Sequence, residues 1–248
     1  MRLRQIAFAA HDRDAVVADL CAVLGIEVSF NDPGVGVFGL HNAVLPVGDS
    51  FLEVVSPTQP DTAAGRYMDR RGGDCGYMVM VQVEDSDAAR ARAAAAGVRV
   101  VWSIDLDDIS GTHFHPRDLG GALLSVDTPR PPTAWRWAGP DWPERSRTAV
   151  VSGLAAVDMA CADPAATAKR WAALLGRAAR AAGDAHEIAL DAGRLRFVAG
   201  AAPGNDGVVA VDLHAVDPAA AVVAAAARGL AHGADWVRLC GTTLRLVA

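Results

Sequence analysis

Four times along the chain, an apolar run gives way to an aspartate and then to an alanine-rich stretch that closes on glycine. The segments read QIAFAAHDRDAVVADLCAVLG (5–25), MVMVQVEDSDAARARAAAAG (78–97), AVDMACADPAATAKRWAALLG (156–176) and AVDLHAVDPAAAVVAAAARG (210–229). Each predicts a buried strand followed by a helix. Asp12, Asp85, Asp163 and Asp217 stand where a helix N-cap or first-turn acid belongs, since a carboxylate there satisfies free N–H groups and complements the helix dipole. Gly25, Gly97, Gly176 and Gly229 stand where a helix ends in the left-handed conformation. The Asp-to-Gly distance is thirteen residues in the first and third segments and twelve in the second and fourth. The resulting ABAB order predicts duplication of a two-module unit.

After each predicted helix come short strand candidates. They are IEVSF, GVFGLHNAVLPV and SFLEVVSP in the first module, and VRVVWSI, GTHFHP and GALLSVDTP in the second. The third offers HEIALD and RLRFVAG, the fourth DWVRLC and TTLRLVA. Each module therefore reads as β-α followed by two or three antiparallel strands, and the fold class is α+β. The stretch TPRPPTAWRWAGPDWPERSR (128–147) is proline-rich and carries Trp135, Trp137 and Trp142, a linker pinned by aromatics to both halves. The predicted organisation is a first half over residues 1–128, a linker over 129–148 and a second half over 149–248. The second half is shorter, its two Asp anchors lying 54 residues apart against 73 in the first.

Composition narrows the function. The 248 residues are 52% hydrophobic and 21% charged, enough for a sizeable core and incompatible with wholesale disorder. A net charge of −6 argues against a nucleic-acid partner, and the one basic cluster is Arg66, Arg70 and Arg71. Those three arginines fall in TAAGRYMDRRGGD (62–74), a predicted short helix and loop. Cys21, Cys75, Cys161 and Cys240 lack C-x-x-C spacing and read as buried or incidental thiols of a reducing cytosol. The opening MRLRQIAFAAHD meets an aspartate too soon for a signal peptide, and no apolar run reaches the roughly 18 residues of a membrane span. The expectation is a soluble, cytoplasmic protein, monomer or homodimer, whose partner is a small molecule rather than nucleic acid or membrane.

The four β-α-β-β-β modules, paired into two halves, resemble the vicinal oxygen chelate superfamily, which includes glyoxalase I, extradiol dioxygenases, methylmalonyl-CoA epimerase and bleomycin-resistance proteins. The resemblance covers essentially the whole chain. It implies that each half is a curved, mostly antiparallel sheet cupping a pocket, with helices outside. It also implies a divalent metal, such as Zn, Fe, Mn or Ni, held by one residue from the first and one from the last strand of each module. Counting seven residues back from each helix-opening aspartate carries the first-strand position onto Gln5, Met78, Ala156 and Ala210. Aligning FLEVVSP, LLSVDTP, RLRFVAG and TLRLVA carries the last-strand position onto Glu53, Ser125, Arg196 and Arg245. Gln5 with Glu53 is the ligand pair a glyoxalase-like first module presents. Met78 and Ser125 depart from the pattern, since neither suits a hard or borderline metal.

The hairpin HFHPRDLGGALLS offers a replacement. If its turn centres on Gly120, His115 lies opposite Ser125 and His113 opposite Asp127, and cross-strand partners share a face. Gln5, Glu53 and His115 then form a three-ligand metal site, with Glu53 and His115 as candidate catalytic residues and His113, Tyr77, Met78 and Ser125 lining the substrate. If the register shifts by half a residue, both histidines face outward. For Glu53 the alternative to a metal is an ion pair with an arginine such as Arg117. In the second half, Asp158 and Asp212 share strand faces with Ala156 and Ala210, opposite Arg196 and Arg245, so salt bridges are expected in place of metal. The resemblance implies metal-dependent lyase, isomerase or dioxygenase chemistry on a small oxygen-rich or carbonyl substrate in the N-terminal cup. The alternative is a non-catalytic drug- or metabolite-binding protein of the bleomycin-resistance kind.

Overall fold

The computed structural model describes residues 1–202 and 205–248. The first module comprises β1 (Arg2–Ala9), α1 (Arg13–Leu24), a 3-10 turn (Pro33–Phe38), β2 (Leu40–Val47) and β3 (Ser50–Pro57), followed by α2 (Ala63–Arg71). The second comprises β4 (Cys75–Gln82), α3 (Ser86–Ala95), β5 (Val100–Asp105), β6 (Ile109–Phe114), the one-turn α4 (Pro116–Leu119) and β7 (Leu123–Pro129). The linker holds α5 (Trp142–Arg145). The third module is β8 (Val151–Cys161), α6 (Pro164–Leu175), β9 (Ala179–Ala182), β10 (Ala185–Ala189) and β11 (Arg194–Ala199). The fourth is β12 (Gly207–Ala215), α7 (Pro218–Ala227), β13 (Trp236–Leu239) and β14 (Thr242–Val247). No helix among the described residues is long and apolar enough to cross a membrane.

The ABAB spacing is a statement about helix length. α1 and α6 have 12 residues and end directly before Gly25 and Gly176, whereas α3 and α7 have 10 and end two residues before Gly97 and Gly229. All four aspartates cap as predicted, each carboxylate accepting the N–H three residues on at 2.9–3.0 Å. In every module the first strand runs parallel to the last, as β1–β3, β4–β7, β8–β11 and β12–β14. The intervening helix permits that crossover. The remaining strands add antiparallel, giving two seven-stranded mixed sheets.

One expectation changes. IEVSF forms no strand: only Phe30 bridges, to Val44. Asp32 Oδ1 instead accepts Gly34 N–H at 2.8 Å and starts the 3-10 turn, so the regular strand begins at Leu40. The chain also resolves into two compact units that cut across its order. One contains residues 5–77, 137–155 and 209–248, and the other residues 1–4, 78–136 and 156–208. The first thus joins the first and fourth modules, with α1 packed on α7; the second joins the second and third, with α3 packed on α6. The linker tryptophans divide likewise: Trp142 meets Phe51 edge-on at 5.0 Å within the first unit, and Trp135 is buried in the second, 5.4 Å from the Arg4 guanidinium.

Within the first unit, alternation along β3 sorts its residues. Leu52 and Val54 are buried on the α1 side, while Phe51, Glu53 and Val55 point the other way, where Ala64 and Met68 of α2 pack against Val55. That second face carries the candidate site.

Candidate functional site

Register places Ala7 of β1 and Val44 of β2 beside Glu53, with Gln5 beside Phe51 and Asn42 beside Val55. The direct neighbours offer Glu53 nothing polar, so it reaches diagonally. Gln5 Nε2 donates to Oε2 at 2.8 Å and Asn42 Nδ2 to Oε1 at 2.6 Å. Asn42 is itself fixed: its Oδ1 accepts Asp32 N–H at 2.7 Å, and its carbonyl accepts Arg13 Nη1 at 2.9 Å. Glu53 is only 6% exposed, and burial pushes its carboxyl above the usual range. The Asn42 and Gln5 donors oppose that shift, while the Asp32 charge adds to it.

Tyr77 completes the surroundings. Burial first and the Glu53 charge second push its phenol up to about 12. Its ring lies 5.3 Å from that of Tyr67 at 60°, and both pack with Val35 and Phe38 on the cluster of Ala9, Leu40, Val55, Ala64, Met68 and Cys75. Arg70 lies over Tyr67 at 5.7 Å. The result is an apolar, aromatic patch around one hydrogen-bonded carboxyl.

In the second unit, His113 pairs with Ser125, and Gly111, not His113, pairs with Asp127. The hairpin thus centres on Leu119, one residue before the expected Gly120. A whole-residue shift leaves His113 on the Ser125 face but moves His115 off the strand. Pro116 cannot extend the ladder, so β6 stops at Phe114 and His115 becomes the cap of α4, its Nδ1 accepting Arg117 N–H at 3.1 Å. His113 instead packs against Trp102, ring centres 4.5 Å apart and tilted by 44°, and burial pushes its imidazole down to about 4. Ser125 Oγ donates to Asp127 Oδ2 at 2.7 Å, beside Met80 of β4, while Met78 pairs with Leu123.

These donors do not fit the metal that Gln5, Glu53 and His115 were expected to hold. Glu53 is the one anionic ligand of the set, and both its oxygens face amide N–H groups. The His115 Nδ1 lone pair is spent on its helix cap. Among the described residues, no three His, Cys, Asp or Glu side chains gather as a metal ion requires. In the later modules the corresponding positions hold ion pairs, each within its own unit. Arg196 Nε donates to Asp158, and Arg245 Nε to Asp212, both at 2.5 Å between registered partners. Asn42 was not predicted, although a buried amide amid the apolar residues of NAVLPV is the signal that could have found it.

Comparison with known proteins agrees with this architecture. The glyoxalase-like domain family matches residues 6–175. A triple mutant of 4-hydroxymandelate synthase from Streptomyces coelicolor superposes over 97% of this chain and 77% of its own, with a TM-score of 0.70 at 17% identity, a likeness of fold. A methylmalonyl-CoA epimerase variant from Streptomyces coelicolor, in complex with 2-nitronate-propionyl-CoA, is 28% identical over 52% of this chain and 97% of its own, with a TM-score of 0.47. The Mycobacterium tuberculosis epimerase is 22% identical over 56% and 92%, again at 0.47. No curated protein matches the sequence.

Proposed function

This chain belongs to the glyoxalase-like domain family, and from that premise we propose that it binds a small organic molecule at the Glu53 face of its first module, without a catalytic metal. The observation that carries this reading is the double amide clasp on Glu53. A carboxyl so held is a fixed hydrogen-bonding group in an apolar wall, the pattern of small-molecule sites, where a few placed polar groups orient a ligand gripped by aromatic surface. Glu53 and the Tyr77 hydroxyl supply the polar contacts, and Tyr67, Phe38 and Val35 the apolar ones. The ligand class is a neutral aromatic or carbonyl compound able to exchange hydrogen bonds with a carboxyl and a phenol. Drug or metabolite sequestration is the corresponding role.

One observation favours a second reading. The raised Glu53 pKa moves the carboxyl toward the range in which it can both take and return a proton. That suits isomerase or lyase chemistry beside a substrate carbonyl, with no metal step.

Calorimetric titration with a panel of such compounds, in the presence of a chelator, tests the first reading. Binding is expected to survive chelation and to weaken about tenfold in Glu53→Leu, the equivalent of one lost hydrogen bond. Affinity that appears only with a stoichiometric divalent ion overturns it. The same ligands incubated in D2O separate the two readings: deuterium uptake by wild type, absent in Glu53→Gln, establishes proton transfer.

A further inference from the structure

The two-residue turn between β13 and β14 is Cys240–Gly241, with φ of +47° and +64°. Turns of this shape favour Asn, Asp or Gly at the first position, because a side chain there is strained at positive φ. Among the described residues only Asp61 and Cys240 hold a positive φ without being glycine. A cysteine kept at such a site calls for a reason, and the surroundings supply one.

The turn lies directly against the start of β4. A Cβ built on Gly241 would fall 2.0 Å from the Asp74 carbonyl oxygen and 3.4 Å from Cys75 Cα. Cys240 Sγ donates to the Ala9 carbonyl at 3.5 Å and faces the backbone N–H of Cys75. Cys75 in turn packs in the cluster that contains Ala9. Both cysteines belong to the same compact unit, and backbones this close bring two Cα atoms toward the roughly 4.4–6.8 Å that a disulfide spans. We propose that Cys75 and Cys240, 165 residues apart in sequence, form a reversible disulfide that fastens the β13–β14 turn to the first strand of the second module.

The oxidant is a small-molecule disulfide such as glutathione disulfide. Cys240, the more exposed residue of the two, attacks one sulfur as its thiolate, forming a mixed disulfide and releasing one glutathione. Cys75 then attacks Cys240 Sγ and displaces the second. The protein gives up two electrons and two protons, and glutathione disulfide becomes two thiols. Arg71 hydrogen-bonds the Cys75 sulfur and favours its thiolate for this second step. Burial pushes the Cys75 thiol up to about 11 and Cys240 higher still, with the Asp74 carboxylate adding to both. The reaction is accordingly slow at neutral pH, and the pair stays reduced until an oxidising poise is sustained. This inference is independent of the ligand assigned to Glu53.

The test is to equilibrate the folded, full-length protein in glutathione redox buffers at mildly alkaline pH, quench in acid and map peptides without reduction. The expected product is a monomer carrying one Cys75–Cys240 link, reversed by dithiothreitol and formed equally in a Cys21→Ala/Cys161→Ala variant. Oxidation should raise the Tm, and Cys240→Ser should abolish that rise. Four free thiols at the most oxidising poise, a persistent glutathione adduct on either cysteine, or pairing through Cys21 or Cys161 overturns the proposal.

Discussion

Glu53 and His113 are ionisable groups that burial drives toward neutrality from opposite sides, Glu53 upward and His113 down to about 4. For His113 the consequence for stability has a definite sign. Its folded pKa lies below the ordinary value of about 6.5, so the unfolded chain binds the extra proton between those limits and stability falls as pH drops from 6.5 through 4. Integrated over that window, the loss is of order 2–3 kcal/mol. Urea unfolding of wild type and His113→Gln across pH 4–7 should show a shallower slope for the variant in this range; parallel slopes would refute the assignment. The Gln5–Glu53 pair was legible in the sequence because counting from a helix cap to a strand position survives without knowing any turn. His115 was not, since its placement depended on hairpin register. Pro116 and the one-turn helix behind it moved the turn centre by a residue, and one residue is enough to take a side chain out of a ladder. Asn42 stayed hidden because the sequence does not say whether His41 or Asn42 faces inward; the structure exposes the first and buries the second.

At the level of single elements, the most legible feature was the Asp-to-Gly frame, since cap and terminator act locally and need no tertiary partner. Its energetic content can be measured. Asp85 accepts Ala88 N–H at 2.9 Å at the head of the 10-residue α3, a helix too short to be stable alone. Asp85→Ala is expected to cost about 1 kcal/mol, which for a chain of this size lowers Tm by roughly 2–4 °C. Asp85→Asn, which preserves the acceptor, should recover most of it in a thermal melt, and equal losses in both variants would mean that the cap contributes through charge alone. The elements that could not be read were those set by pairing. β9, the sequence ARAA, consists of residues that prefer helices and is a strand only because it lies along β10 at a sheet edge. IEVSF has the opposite history: its β-branched and aromatic residues prefer strands, but the Asp32 cap turns the chain away after Phe30.

The alanine content that made the four helices look alike also governs how the molecule holds together. Small side chains let helices approach toward the near end of the usual 8–10 Å spacing, and the helix pairs that form are α1 with α7 and α3 with α6, each pair drawn from both halves of the sequence. Around these contacts lie an Arg228–Asp19 ion pair in one unit and an Arg92 Nε to Leu174 carbonyl hydrogen bond of 2.6 Å in the other. Each compact unit therefore takes one module from before the linker and one from after it. A cut in the linker leaves every module with its own strands but without its helix partner. α1 would then lose α7 and α3 would lose α6, uncovering the helix faces that meet in each pair. Fragments 1–128 and 149–248, made separately, should each show helical and strand signal but broad, weakly cooperative melts and a tendency to self-associate. Mixing them should restore a single sharp transition and the near-ultraviolet signal of the buried Trp171. Two fragments that each melt sharply as monomers, with no change on mixing, would instead make the halves independent domains. The helix contacts between them would then contribute little to folding.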